Sequence, residues 1–154
     1  MGGRERLKAD LAKHRRVGLD SSILIYHLEG LSPYAELTEV VVTGLARGDL
    51  TAVISMISVT ELLVKPFAVG EEERVRVCEG FLRGLPNAVL VPLSFEIAKE
   101  AARLRGVHRL RTPDALIIAT VLREGASAFL TNDQKLKNLD GKGIEILVLD
   151  DYLD

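Results

Sequence analysis

The sequence predicts an α/β fold of three layers, α/β/α, with a central parallel sheet. Three observations predict it. Short apolar runs at 17–19, 51–55, 88–91, 128–130 and 144–149 are separated by longer stretches whose apolar residues recur at helical spacing. Strands alternating with helices imply right-handed crossovers, and so a parallel sheet covered on both faces. Finally, Asp20 directly follows one of the apolar runs, and Asp133 comes three residues after the end of another. A strand ending on such a residue before a helix points it at the carboxyl edge of the sheet, where open α/β sheets bind ligands.

The chain has 154 residues, 47% of them apolar, enough for one domain with its own core. No apolar run approaches the roughly 20 residues of a membrane helix, and no membrane contact is expected. The first six residues, Met1, Gly2, Gly3, Arg4, Glu5 and Arg6, contain no apolar signal-peptide core. They also lack the hydroxyl residue that myristoylation requires at position 6. Cys78 is the only cysteine, so no internal disulfide forms and a cytoplasmic setting is expected. The net charge of −2 does not advertise nucleic-acid binding. Basic residues nevertheless gather at 13–16 and 103–111, opposite in sign to Glu71, Glu72 and Glu73.

In chain order, residues 3–14 are expected to form a helix with Leu7 and Leu11 on one face. Residues 17–19 form the first strand, with Asp20 its last residue. The helix of 21–29 stops at Gly30. A further helix opens at Pro33 and runs to about Arg47. Its apolar stripe of Leu37, Val40, Val41 and Leu45 serves either packing in the monomer or a homodimer surface. Residues 51–55 are a strand. Ser58 and Glu61 read as a capping box opening the next helix, which Pro66 breaks or kinks. Residues 71–85 form an amphipathic helix that packs Cys78. Strand 88–91 precedes Pro92, and 94–105 is helical. Thr112 caps a helix with Pro113 at its first position, and its body, 115–122, is apolar nearly all round and belongs inside the protein. Strand 128–130 turns out through Asn132 and Asp133, and 144–149 is the last strand. His27 is expected at the surface or rim, and Tyr26 in packing.

Each of four acids has a local explanation: Asp20 and Asp133 as caps, Glu61 in a capping box, Asp114 near a helix start. Taken together they point further. Parallel strands would bring them to one edge, where carboxylates repel and their pKa values rise unless a cation lies between them. Carboxylate oxygens suit Mg²⁺ or Mn²⁺ rather than zinc. No phosphate-binding glycine loop, HExxH pattern or GxSxG elbow occurs.

Four segments resemble, in order, the signature blocks of the PIN-domain family, and the resemblance extends over about residues 16–150. They are Leu19-Asp20-Ser21-Ser22-Ile23-Leu24-Ile25; Val59-Thr60-Glu61-Leu62; Arg111-Thr112-Pro113-Asp114-Ala115-Leu116-Ile117-Ile118-Ala119-Thr120; and Leu130-Thr131-Asn132-Asp133. The family consists of metal-dependent nucleases, many of them VapC-like ribonuclease toxins of toxin–antitoxin pairs. The resemblance implies a PIN-like nuclease domain over 16–154; the segment before it, 1–15, lies outside the resemblance and is expected to be an N-terminal helical extension packed on that domain. It implies a site for Mg²⁺ (or Mn²⁺) built from Asp20, Glu61, Asp114 and Asp133, with Ser21 and Thr131 in support. Where the family often has another acid two residues after the fourth, this chain has Lys135.

The activity so implied is cleavage of RNA phosphodiester bonds by a metal-activated water, with RNA, and in a toxin setting a cognate antitoxin, as partners. Arg103, Arg105 and Arg109 are candidates for holding the RNA backbone. Arg111 reads instead as a structural neighbour of Asp114. One alternative is a catalytically silent PIN-like scaffold that binds RNA or protein. Another is a haloacid-dehalogenase-like phosphatase, which needs an acid where this chain has Ser22.

Overall fold

A computed structural model describes residues 1–154. Five strands, β1 (Arg16–Leu19), β2 (Thr51–Ser55), β3 (Ala88–Val91), β4 (Ala128–Thr131) and β5 (Glu145–Val148), form one sheet in the order β3-β2-β1-β4-β5. Every neighbouring pair is parallel. The chain winds outward from β1 to β3 and then returns to add β4 and β5 on the other side of β1. The order therefore reverses between β1 and β4, and at such a point the loops diverge and leave a crevice at the carboxyl edge.

Alternation along the strands divides the interior into two cores. Val17, Leu19, Ala52, Ile54, Ala128, Leu130 and Leu147 face one side. There they meet α1 (Gly3–Leu11), α2 (Ser21–Glu29), α3 (Ala35–Arg47), α4 (Met56–Ala68) and α5 (Glu72–Gly84). Val53, Phe129, Ile146 and Val148 face the other, against α6 (Phe95–His108) and α7 (Thr112–Arg123). Successive strand residues point to opposite faces, so strands buried on both sides read as unbroken apolar runs. That is the pattern visible in the sequence. Gly18 is required where α7 crosses β1: a Cβ there would lie 2.4 Å from Val121 Cγ2.

Several boundaries differ from the sequence expectation, each for a local reason. α4 begins at Met56, directly out of β2, because Ser55 leaves the strand extended and its Oγ accepts from the Ile57 amide at 3.1 Å. Ser55 is therefore the cap, and the capping box of Ser58 and Glu61 does not form. Ser58 is the third residue of the helix, in its first turn, fully buried, its hydroxyl without a partner. Pro66 does not end the helix, which continues to Ala68. Thr112 is the first helical residue of α7 rather than its cap, which is Arg111. α3 starts at Ala35, and α6 runs three residues beyond Arg105 to His108. The 37–45 stripe packs within the monomer, with Leu37, Val41 and Leu45 buried in the same core as Leu7 and Leu11 of α1.

α1 is bolted to the end of the chain. The Gly3 amide donates to Asp154 Oδ1 at 2.8 Å, and the Tyr152 hydroxyl to Asp10 Oδ2 at 2.6 Å. Leu7 and Leu11 are buried beneath it. No helix is long and apolar enough to cross a membrane.

Candidate metal centre

Asp20 stands where β1 passes into α2, at the reversal of strand order. Its own amide donates to the Leu130 carbonyl of β4, which clamps the two strand ends together. Its side chain caps α2: Oδ1 accepts from the Ser21 amide at 2.8 Å, and Oδ2 accepts from the Thr131 hydroxyl at 2.6 Å. The capping explanation is thus correct, and it does not exhaust the residue. Asp20 is mostly buried, and its polar partners are neutral hydroxyl and amide groups with no cation among them. Burial raises its carboxyl above the ordinary carboxylate value, and the charges of Asp114 and Glu61 push the same way, against the Thr131 and Ser21 hydrogen bonds.

The other three acids arrive from separate elements. Glu61 lies in the second turn of α4, and its Oε1 accepts from the Ser21 hydroxyl at 2.9 Å. Asp114 lies in the first turn of α7, its side chain 16% exposed. Close packing of α7 on Gly18 fixes its position, because Asp114 stands two helical turns, about 10 Å, before Val121. Asp133 caps the 3₁₀ turn Gln134–Leu139 through the Lys135 amide, 3.0 Å from Oδ1. The Thr131 hydroxyl links two of the acids, since it donates to Asp20 and accepts from the Asp133 amide at 3.1 Å.

Arg111 is the cation of this edge. Its Nε lies 3.1 Å from Asp114 Oδ2, and its charge also feels Asp133 and Glu61. It is the structural partner of Asp114 read from the sequence. The other candidate arginines have contacts of their own. Arg103 pairs with Glu100 at 2.5 Å, Arg105 donates to the Leu110 carbonyl at 2.9 Å, and Arg109 ends α6 in the left-handed conformation. His27 keeps part of its surface exposed. It is half-buried between helices, 3.2 Å from the Thr38 hydroxyl with its ring centred 5.6 Å from that of Phe81. Tyr26 stacks on Tyr34 with ring centres 4.4 Å apart, and Cys78 is buried in the core.

Sequence reasoning missed one part of this edge. Asn132 Nδ2 donates to the Tyr26 hydroxyl, its Oδ1 accepts from the Asp150 amide at 2.9 Å, and the Tyr34 hydroxyl donates to Asp150 at 2.7 Å. This network ties the crevice to the chain end. The signal was present, because Asp150 follows the last strand much as Asp20 follows the first.

No three acid, histidine or cysteine side chains stand close enough, as placed, to enclose a metal ion. The chemistry of the set nevertheless fits a hard divalent cation. It offers carboxylate and hydroxyl oxygens, a partly buried carboxylate without a cation, and no soft ligand. Arg111 now neutralises part of that charge.

A family model described as the PIN domain matches residues 17–142. Comparison with curated proteins found no match. Solved structures share the fold. DNA-bound VapBC from Salmonella typhimurium is similar with a TM-score of 0.66 and 18% identity, covering 88% of this chain and 98% of that one. A toxin–antitoxin complex from Klebsiella pneumoniae gives 0.60 and 24%, covering 86% and 97%. FitAcB from Neisseria gonorrhoeae gives 0.65 and 15%, covering 86% and 97%.

Proposed function

The chain belongs to the PIN-domain family, and on that premise we propose that it is a Mg²⁺- or Mn²⁺-dependent endoribonuclease, the toxin of a toxin–antitoxin pair. The observation that carries this reading is the partly buried carboxylate of Asp20, raised in pKa by desolvation and by Asp114 and Glu61, with no cationic partner of its own. A helix cap alone gives no reason to face a partly buried acid with two more.

In this reading Asp20 and Asp114 hold the cation directly, while Glu61 and Asp133 complete its surroundings. A divalent ion bound there supplies Lewis acidity, making water a better nucleophile and offsetting charge at the phosphorus during in-line displacement. The protein's own groups do the rest. Ser21 and Thr131 each hold one oxygen of Asp20 and so fix its carboxylate. Ser21 also holds Glu61 Oε1, which leaves Oε2 to orient a water or take its proton. Arg111 moves from Asp114 to a phosphate oxygen of the substrate, and Arg103, Arg105 and Arg109, on the segment leading to it, line the path of the RNA backbone. Arg–phosphate contacts of this kind position the strand without reading its sequence. The similar complexes from Salmonella typhimurium and Klebsiella pneumoniae support a cognate antitoxin as partner.

The test is cleavage of RNA by the purified chain. Cleavage is expected with Mg²⁺ or Mn²⁺, none in EDTA, and none from Asp20→Asn. Water attack leaves a 5′-phosphate and a 3′-hydroxyl. Full activity in EDTA, or a 2′,3′-cyclic phosphate product, overturns the mechanism. RNA binding without cleavage under any metal condition would instead make the chain a scaffold.

A further inference from the structure

α1 precedes the family match, which begins at residue 17, so the surface it creates lies outside the matched region. Between α1 and α3 it leaves a groove of about 460 Å³. Its floor is apolar, made by Leu11, Val40 and Leu50. Gly44 brings Leu50 up against α3, since a Cβ at Gly44 would lie 2.7 Å from Leu50 Cδ2. The rims are basic: Arg4 and Lys8, one turn apart on α1, and Arg47 in the last turn of α3. None of these three cations has a carboxylate within ion-pair distance, whereas Arg6 and Lys13 of the same N-terminal segment are paired. Asp49 is the one acid of the lining. The groove is preformed, because the bonds of Gly3 and Asp10 to the chain end hold α1 in place. Leu50 and Asp49 precede β2, so it opens toward the amino edge of the sheet, away from the four acids.

We propose that this groove docks an acidic, partly apolar peptide segment of a partner protein. Basic rims over an apolar floor between two helices are complementary to an amphipathic segment whose polar face is acidic. Single-stranded nucleic acid is the poorer match, since no aromatic side chain lines the groove to stack a base. The proposal does not rest on the nuclease reading, and its test reads binding rather than cleavage.

A fluorescein-labelled helical peptide of about 14 residues, with leucines on one face and glutamates elsewhere, is titrated with the full chain by fluorescence anisotropy. A peptide of the same composition with its leucines scattered, and an oligouridylate of similar length, serve as controls. The amphipathic peptide is expected to bind best. Combining Arg4→Glu, Lys8→Glu and Arg47→Glu should weaken it by at least about tenfold, with circular dichroism and melting curve unchanged. The proposal is overturned by any of four results: the parent does not bind the peptide, the triple variant binds it as tightly, the scattered peptide binds equally well, or oligouridylate is preferred. A single Arg47→Gln exchange, expected to weaken binding severalfold, repeats the test without reversed charge.

Discussion

Asp20→Asn separates an electrostatic site from a mere helix cap. Burial, then the neighbouring charges of Asp114 and Glu61, raise the Asp20 carboxyl above its usual 3.8 in the folded chain, and none of these acts in the unfolded one. A group with a raised native pKa contributes its full stability below about pH 3.8 and loses it as pH rises through the native value. At neutral pH, without metal, the parent therefore carries an uncompensated charge, costing about 1.4 kcal/mol per unit of pKa elevation. Asparagine removes that charge at nearly constant volume. It keeps the cap on the Ser21 amide, Asn and Asp being nearly equal N-caps. It gives up about 0.3–1 kcal/mol of attraction to the α2 dipole, and the Thr131 hydroxyl loses a charged acceptor. The last changes are offsets, while the burial and repulsion effect follows titration. The Tm of the variant minus that of the parent, measured in EDTA, should therefore rise between about pH 3.5 and 7. Relief of about 1 kcal/mol corresponds to roughly 2–4 °C. Mg²⁺ at about ten times its Kd should then stabilise the parent by roughly 1.4 kcal/mol and the variant clearly less. A difference in Tm that stays constant across this pH range, with equal Mg²⁺ responses, would refute the reasoning.

Four further outcomes are expected. Arg111→Gln removes the cation competing for Asp114, so Mg²⁺ affinity, read by calorimetry, should tighten about two- to fivefold, while the KM for RNA rises. For the same reason Asp114→Asn, which breaks this ion pair, should not raise Tm in EDTA as neutralising an unpaired acid would. Gly18→Ala forces a Cβ to within 2.4 Å of Val121, and chemical denaturation should show a loss of about 1–3 kcal/mol with weakened Mg²⁺ binding as α7 shifts. Burial and the bond to Asp10 raise the Tyr152 phenol above its usual 10.0, so parental stability should fall above about pH 10. Tyr152→Phe should be less stable at neutral pH by about 1 kcal/mol and lose that alkaline slope, as thermal melts across pH will show.

Much of this molecule is local chemistry and is therefore legible in the chain. The strands 51–55 and 88–91 and the helix 21–29 fall where the sequence places them, because β-branched runs, a capping acid and Gly30 each act within a few residues. The four acids could be picked out as candidates too, from the order of their motifs. Tertiary structure decided what those acids face. Glu61 looked like the partner of Ser58, three residues away. It lies instead beside Ser21, forty residues away, because α4 springs directly from β2 and turns Ser58 into the core. The Thr131 hydroxyl reaches Asp20 only because β4 returns beside β1 and reverses the strand order. The stripe of α3 could equally have faced a second copy until α1 packed over it. Periodicity reports that a face must be buried, and only the three-dimensional arrangement of the other elements decides what buries it.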